Sequence, residues 1–208
     1  MVTIIDYDAG NLHSVENALR RLGEESVVTR DEKIILSSDR VILPGVGAFG
    51  DAMRLLESYG LTNVIRETVR REIPLLGICL GMQLFFEESE ESPGVKGLGL
   101  LKGKLRRIPD ENGTLKVPHM GWNDLRMPNR GSLFEGVEEG SFVYFVHSYY
   151  LRAEDPGVVT ARTTYGVDID ASVQQGTLCG CQFHPEKSGD VGLRILENFL
   201  RMRTDRSN

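Results

Sequence analysis

Residues 74–83 read PLLGICLGMQ and place one cysteine between two glycines at the end of an apolar run. The run is typical of a strand buried on both faces, and the residues after it predict a helix that begins near Leu80. A nucleophile held at such a sharp turn needs small neighbours, which Gly77 and Gly81 supply around Cys79. A cysteine that is only packed at the end of a core strand is the alternative, because free cysteines are among the most buried residues.

The composition narrows the possible partners and the location. The chain has 208 residues, of which 40% are hydrophobic and 26% charged, and its formal net charge is -6. This acidic balance argues against nucleic acid, because phosphate binding needs concentrated Lys and Arg. No apolar run approaches the roughly 18 residues of a transmembrane helix, and the first residues lack the basic segment of a signal peptide. We therefore expect residues 1–208 to form a single cytoplasmic domain with no nucleic acid and no membrane as partner.

The cysteines and histidines indicate free thiols rather than disulfides or a metal site. The count of three cysteines is odd and has no framework spacing, which is typical of a reducing cytoplasm. Cys181 is interpreted as a packing residue. The four histidines lack paired ligand spacing, so we expect no metal site and no cofactor.

The two halves of the chain differ in their hydrophobic rhythm. Up to about residue 95, short apolar runs alternate with helix-period segments, which predicts βαβ units. The first helix should begin at an Asn11 cap and end at Gly23. From about Leu98, short strand candidates are separated by Gly, Pro, Asn and Asp, and a closing helix is predicted over 188–202. The expected fold class is α/β, with a mainly parallel central sheet flanked by helices and an antiparallel strand annex in the C-terminal half.

The segment QFHPEKS, residues 182–188, contains a candidate base and a candidate carboxylate. A thiolate that performs acyl transfer needs a base and a group that orients this base. His184 and Glu186 are two positions apart at the end of a strand candidate, so an extended backbone, held by Pro185, would put them on one face. With the elbow cysteine they predict a Cys–His–Glu triad. A strand-end histidine satisfied by its neighbours is the alternative.

The glycine-rich segment LPGVGAFG, residues 43–50, is a candidate oxyanion hole. It follows a strand candidate and opens a helix, so its backbone N–H groups are free to converge on developing negative charge. A phosphate cradle is the alternative. The segment lacks the Lys-Ser/Thr of a P-loop and the GxGxxG order of a dinucleotide fingerprint, which makes nucleotide binding the weaker interpretation.

Five segments stand out along the chain: PGVGAFGDAM (44–53), GICLGMQLFFEESEE (77–91), PHMGWN (118–123), YFVHSYY (144–150) and QFHPEKS (182–188). Together they resemble the class I glutamine amidotransferases, and more narrowly the glutaminase subunits of imidazole glycerol phosphate synthases. PHMGWN and HPEKS argue against the anthranilate- and pyridoxal-phosphate-type glutaminases of the same superfamily. A non-catalytic redox or binding module, with Cys79 as a sensor, stays open as a different class of function.

The resemblance implies an enzyme that hydrolyses glutamine to glutamate and ammonia through a γ-glutamyl thioester. Cys79 would be the nucleophile, His184 would protonate the ammonia and then activate water, and Glu186 would hold the imidazole tautomer. The oxyanion would lie against backbone N–H groups of Leu80 and of Val46 and Gly47. We expect the N–H of the latter loop to point away until a partner binds its ligand.

By the same resemblance, glutamine would be bound by Gly47, Gln83, Glu91 and the backbone of Ser148 and Tyr149. Glu91 supplies the anion that an α-ammonium group needs. The other three acids of its EESEE run are interpreted as solvated surface, and the run is expected at the C-terminal end of the elbow helix.

Members of this family dock on a (βα)8-barrel cyclase. The cyclase couples ammonia to a phosphoribosyl-formimino-carboxamide ribonucleotide and yields imidazole glycerol phosphate and an aminoimidazole carboxamide ribonucleotide. A barrel of about 250 residues is expected on a separate chain. The positions that match the docking face are Asn11, Trp122, Tyr144 and Lys187. A core position for Trp122 and a merely solvated Lys187 are the alternatives.

Overall fold

A central sheet dominates the computed structural model, which describes residues 1–110 and 113–202. Within these residues the strands are, in chain order, β1 (Val2–Ile5), β2 (Ser26–Thr29), β3 (Arg40–Leu43), β4 (Leu75–Ile78), β5 (Glu88–Ser89), β6 (Gly103–Arg107), β7 (His119–Asp124), β8 (Phe142–His147), β9 (Tyr149–Ala153), β10 (Val159–Tyr165), β11 (Val167–Gln175) and β12 (Leu178–Cys181). The helices are α1 (Leu12–Arg21), α2 (Glu32–Ser37), α3 (Phe49–Ser58), α4 (Leu61–Arg70), α5 (Leu80–Gln83) and α6 (Gly189–Arg201).

The strands of the central sheet lie in the order β10-β11-β12-β4-β3-β1-β2. Neighbours from β12 to β2 are parallel, whereas β10 and β11 run antiparallel to their neighbours. Parallel neighbours need crossover connections, which the helices between the early strands supply. Two smaller sheets, β5-β6-β9 and β7-β8, lie outside the central sheet, and all of their strands except β5 follow residue 102. The predicted α/β class, with a mainly parallel centre and an antiparallel annex, is confirmed.

Helices cover both faces of the central sheet, and successive strand side chains point to opposite faces. Ile5 joins the buried cluster that contains residues of α3 and α4, whereas Ile4 joins the cluster that contains residues of α1 and α6. All four residues of β4 are buried, as predicted for a strand that is covered on both faces. The elbow cysteine therefore follows a strand at the centre of the molecule.

Helix boundaries follow the predicted caps where caps are present. α1 begins where predicted, because the side chain of Asn11 accepts from the N–H of Ser14 at 3.4 Å. α2 and β5 have no counterpart among the predicted elements, since six and two residues are too few for a periodic signal. The elbow helix α5 is shorter than expected, with four residues. Its contribution to the site is therefore the geometry of one turn rather than a long helix dipole.

Candidate active site

Cys79 occupies the sharp turn between β4 and α5. Its backbone has φ 54 and ψ -113, a conformation that non-glycine residues rarely adopt. The N–H of Cys79 donates to the carbonyl of Cys181 at 2.8 Å, which fastens the turn to β12. Strain of this kind persists only where the surrounding structure enforces it, and it concentrates at functional sites.

The two glycines of the elbow are required by close contacts. A Cβ at Gly81 would lie 1.8 Å from the carbonyl oxygen of Leu43, and a Cβ at Gly77 would lie 2.6 Å from the ring of Phe85. A Cβ at Gly77 would also lie 2.7 Å from the backbone nitrogen of Met82, so neither position accepts a larger residue without movement of the backbone. The predicted need for small residues on both sides of Cys79 is therefore confirmed, with a named obstacle for each.

His184 and Glu186 form a buried pair after β12. The Nδ1 of His184 lies 2.8 Å from Oε1 of Glu186, and both side chains are almost fully buried. The pair does not form in extended backbone, so the predicted role of Pro185 was wrong. Pro185–Lys187 is a turn of 3₁₀ helix, closed by the N–H of Lys187 donating to the His184 carbonyl at 3.0 Å. The turn brings the carboxylate back to the imidazole.

The charges around His184 favour its protonated form. Burial alone would lower the pKa of His184, but the neighbouring Cys79 sulfur and Glu186 carboxylate together raise the pKa to about 9. At neutral pH the Nδ1–H then donates to Glu186. The Nε2 of His184 is buried without a hydrogen-bond partner, as is Oε2 of Glu186. His184 is also one of the residues that line a cavity, so its imidazole lies beside the space for a ligand.

A cavity of about 360 Å³ brings together most of the predicted site residues. Those that line it are Val46, Gly47, Cys79, Leu80, Gln83, Glu91, Ser148, Tyr149 and His184. Glu186 lies behind His184 rather than on the wall. Pro118, Val146 and His147 also line the cavity and were missed, because nothing in their types or spacing marks them as ligand contacts.

Glu91 connects the cavity to the start of α3. Its Oε2 accepts from the N–H of Phe49 at 2.7 Å, and Oγ of Ser92 accepts from the N–H of Gly50 at 2.9 Å. Two of the free N–H groups at this helix start are thus capped by one short segment. Glu91 is half-buried and lines the cavity, so its carboxylate also faces the ligand space.

The remaining acids of the EESEE run do not lie where expected. α5 ends at Gln83, so the run does not lie on the elbow helix; two of its residues, Glu88 and Ser89, form β5 instead. Glu88 forms ion pairs with Lys96 and Lys104. Oε2 of Glu90 accepts from a backbone N–H at 2.8 Å. These carboxylates are bound to neighbours at the surface rather than being merely solvated.

The sulfur of Cys79 has two polar neighbours in addition to His184. The carbonyl oxygen of Val146 lies 3.8 Å from Sγ, and Nε2 of Gln182 lies 3.7 Å from it. Gln182 is wholly buried and was not predicted as a site residue. The other two cysteines are also buried, and burial raises the pKa of the Cys179 thiol to about 12 and that of Cys181 as well. Packing, as interpreted for Cys181, accounts for both.

His119 and His147 form a buried hydrogen-bonded pair beside the cavity. Nδ1 of His147 lies 2.9 Å from the Tyr149 carbonyl oxygen, which can only accept, so this nitrogen carries the proton. Nε2 of His147 is then the acceptor, and Nδ1–H of His119 donates to it at 3.0 Å. Burial lowers the pKa of His119 to about 4 and that of His147 to about 3, which keeps both rings neutral near pH 7.

The β7-β8 ribbon has one buried and one exposed face. Directly opposite residues of an antiparallel pair lie on the same face, so Trp122 and Tyr144 share a face, and their rings meet edge-on at 6.0 Å. Trp122 is 56% exposed, which excludes the core position considered for it. Met120 and Phe142 are 62% and 57% exposed on the same face and were missed. Exposed apolar side chains gathered on one face make it a candidate interaction surface.

Asn11 and Lys187 lie close to the triad on other elements. Asn11 lines a small cavity of about 10 Å³ that also touches Val46, His184 and Glu186. Lys187 is exposed at the end of the turn that carries Glu186. A partner that contacts either residue would therefore reach the triad through one side chain or one peptide.

In residues 1–110 and 113–202, no group of three or more His, Cys, Asp and Glu side chains could hold a metal ion. No helix within the same ranges is long and apolar enough to cross a membrane.

The match to a known family covers nearly the whole chain. Residues 3–202 match the model of the class-I glutamine amidotransferases. The chain belongs to this family, as the five segments indicated. It is therefore an enzyme of the glutamine amidotransferase class.

Two curated relatives make the likeness more specific. The chain is 52% identical to imidazole glycerol phosphate synthase subunit HisH of Geobacillus kaustophilus, with 100% of both chains covered. It is also 52% identical to the same subunit of Moorella thermoacetica, over 95% of this chain and 93% of the relative. A crystal structure of a glutamine amidotransferase aligns with a TM-score of 0.73 at 25% identity, covering 96% of this chain and 99% of the other.

The neutral histidine pair predicts that acid destabilises the protein. An unfolded chain protonates both histidines near the ordinary pKa of 6.5, whereas the folded chain keeps His119 neutral down to about pH 4 and His147 to about pH 3. The unfolded state then binds more protons than the folded state. The free energy of unfolding therefore falls as the pH is lowered from 6.5 to 4.5, by roughly 1–2 kcal/mol for each histidine. Urea denaturation at a series of pH values measures this slope.

Two variants control the measurement. His119→Gln should reduce the slope by roughly half, because one of the two linked protons is gone, whereas His13→Gln, at a fully exposed position, should leave it unchanged. His184, with its pKa raised to about 9, opposes this slope slightly near pH 6.5, where the unfolded chain holds only half of its proton, and has no effect below about pH 5.5, where both states hold the proton. A slope in His119→Gln equal to that of the wild type would contradict the neutral pair.

Proposed function

We propose that this chain is the glutaminase subunit of an imidazole glycerol phosphate synthase and acts in histidine biosynthesis. It hydrolyses L-glutamine to glutamate and ammonia, and passes the ammonia to a partner (βα)8-barrel cyclase. The observation that carries the proposal is the cavity of about 360 Å³, in which the strained Cys79 and the protonated His184 meet the predicted glutamine contacts. The HisH relatives at 52% identity support the choice of pathway.

The first half of the reaction forms a thioester. The thiolate of Cys79 attacks the carboxamide carbon of glutamine, and the C–N bond breaks as Nε2–H of His184 gives its proton to the leaving ammonia. The raised pKa of His184 supplies this proton at neutral pH. Glu186, hydrogen-bonded to Nδ1, holds the ring in place and stabilises its charge until the transfer.

The second half returns the enzyme to its starting state. Neutral His184 takes a proton from water, the resulting hydroxide adds to the thioester carbon, and the C–S bond breaks to release the thiolate of Cys79. The new carboxylic acid gives its proton to solvent and leaves as glutamate, while His184 keeps the proton taken from water. In both halves the oxyanion lies against the N–H of Leu80, at the first turn of α5, and against the Val46–Gly47 loop. Gly47 has φ 97, which only glycine adopts readily, so this loop can turn its peptide toward the oxyanion.

Substrate recognition uses both ends of glutamine. Glu91, whose carboxylate faces the cavity, binds the α-ammonium group, and the backbone of Ser148 and Tyr149 holds the opposite side of the amino-acid head. Gln83 donates to the Tyr149 carbonyl at 3.0 Å, which keeps this backbone in place. Gly47 leaves room for the carboxamide, since nothing lies within 4 Å of the Cβ position.

The cyclase docks on the exposed face of the β7-β8 ribbon and on the neighbouring Asn11 and Lys187. Trp122 and Tyr144 form the aromatic centre of this face, since aromatic anchors are enriched at interface cores. The same ribbon reaches the cavity, because Val146 lines it and its carbonyl contacts the Cys79 sulfur. Docking can therefore change the site directly, and we propose that the Val46–Gly47 N–H turns inward only when the cyclase holds its ligand.

A reducing, cytoplasmic location suits this chemistry. Cys79 has to remain an unmodified thiol or thiolate to attack glutamine. All three cysteines are free in the structure.

Glutamate release from glutamine tests the proposed function. Wild type and Cys79→Ala are each assayed alone, with the cyclase, and with the cyclase plus its ribonucleotide substrate. We expect strong glutamate release by the wild type in the third condition. Cys79→Ala should release glutamate at least about 10³-fold more slowly, because the nucleophile is lost. Cys179→Ala, at a buried cysteine outside the cavity, is the matched control and should retain activity.

Two outcomes would contradict the proposal. No glutamate in any condition would leave Cys79 as a packed or redox-sensing cysteine. Activation by an anthranilate or pyridoxal phosphate synthase, but not by the imidazole glycerol phosphate cyclase, would keep the glutaminase and change the pathway.

The docking face predicts a large effect of one exposed aromatic residue. Trp122→Ala should weaken binding of the cyclase by roughly 30-fold, because a central tryptophan anchor contributes about 2 kcal/mol. The melting temperature of the free chain should change little, since Trp122 is exposed. Val27→Ala, an exposed apolar residue on β2, is the control and should bind normally. Isothermal titration calorimetry measures the affinity of each variant for the cyclase. Normal binding by Trp122→Ala would exclude this face as the docking surface.

A further inference from the structure

Gln182 lies between β12 and His184 and is wholly buried, although the steps above give it no part. Its Nε2 lies 3.7 Å from Sγ of Cys79, within hydrogen-bonding range for sulfur. Its Oε1 accepts from Nε2 of Gln83 at 2.8 Å. One buried side chain therefore joins the reacting sulfur to a residue that contacts the cavity.

The orientation of the Gln182 amide is fixed by its neighbours. The carbonyl oxygen of Tyr149 can only accept, so the Gln83 atom 3.0 Å away must be the NH₂ group. This NH₂ uses its second hydrogen on Gln182, so the Gln182 atom that faces it must be oxygen. The NH₂ of Gln182 is then left facing the sulfur. A flipped amide would place two NH₂ groups 2.8 Å apart in a buried site, which is unfavourable.

Apart from His184, the two polar neighbours of the Cys79 sulfur favour opposite protonation states of that sulfur. A thiol can donate to the Val146 carbonyl, 3.8 Å away, whereas a thiolate cannot. A thiolate is the better acceptor for the Gln182 N–H, since hydrogen bonds to an ionised group are the stronger ones. A donor bound to the charged form favours that form. The contact with Gln182 therefore matters most when the sulfur is negative.

We propose that Gln182 is a further catalytic residue: its side-chain N–H donates to the Cys79 sulfur and stabilises the thiolate that attacks glutamine and the thiolate that leaves at deacylation. The catalytic consequence rests on the proposed glutaminase function, while the contact with sulfur does not. Gln182 transfers no proton, and its hydrogen bond strengthens and weakens as the sulfur gains and loses charge. Gln83 is a positioning residue for this amide as well as a substrate contact.

Alkylation of Cys79 by iodoacetamide as a function of pH tests the contact, because only the thiolate reacts. Mass spectrometry of the Cys79 peptide separates its alkylation signal from those of Cys179 and Cys181. Gln182→Met removes the donor and keeps an unbranched side chain, so the pH midpoint of alkylation should rise by about one unit. Gln182→Glu keeps an acceptor for Gln83 and puts oxygen against sulfur, so its midpoint should rise further.

A matched control and a kinetic readout separate this role from a structural one. Asn198→Leu removes two hydrogen bonds of another buried amide, which bind backbone carbonyls away from the sulfur, and should leave the midpoint unchanged. In the complex with the ligand-loaded cyclase, Gln182→Met should lower kcat for glutamate release about tenfold, with a much smaller change in KM. Gln83→Met removes the hydrogen bond that orients the Gln182 amide, so it should also raise the pH midpoint of alkylation. This variant tests the contact even if neither Gln182 variant folds.

An unchanged midpoint in any folded variant of Gln182 would overturn the proposal, even if the wild type releases glutamate. An unchanged midpoint in Gln83→Met, should neither Gln182 variant fold, would overturn it equally. A raised midpoint in a chain that releases no glutamate under any condition would support the sulfur contact and instead overturn the glutaminase function.

Discussion

The close contact between the elbow turn and the end of β3 is the constraint on which the site depends. With no side chain at Gly81, the turn packs directly against the carbonyl of Leu43, where a Cβ would lie at 1.8 Å. Gly45 faces the same turn, since its Cβ would lie 2.8 Å from the N–H nitrogen of Gly81. Cys79, the proposed nucleophile, and the loop proposed to form the oxyanion hole are therefore held together by backbone packing, before any side chain contributes.

Glu91 connects the cavity to the segment that follows the Val46–Gly47 loop. Glu91 caps the N–H of Phe49, directly after the loop, and also faces the cavity. Glutamine bound at Glu91 would thus act on the residue that anchors the loop. The β7-β8 ribbon offers a second connection, from exposed Trp122 along the strand to Val146 beside the Cys79 sulfur. A partner docked on the ribbon and a ligand bound in the cavity would therefore act on the same few backbone segments.

The sequence was most informative where a steric or packing requirement restricts a short segment to particular residue types. Gly77, Cys79 and Gly81 predicted the elbow because only small residues fit there, and the rhythm of apolar runs predicted the parallel centre of the sheet. α2 and β5 escaped prediction since short elements have little periodicity. The sequence did not reveal the contacts of three buried polar residues, His119, His147 and Gln182, because their partners are distant in the chain. The sequence also cannot distinguish a neutral buried histidine from a catalytic one. Trp122 required the structure, because a lone tryptophan is equally compatible with a core and with a docking face.

The central claim is that Cys79 becomes covalently attached to the glutamyl group of its substrate. The most direct measurement is acid quenching of the ligand-loaded complex during turnover of glutamine, followed by mass spectrometry of the peptide that contains Cys79. The account predicts a glutamyl adduct on this peptide, none on the peptide that carries Cys179 and Cys181, and none in Cys79→Ser. Steady glutamate release with no adduct at Cys79, or with an adduct on another residue, would contradict it.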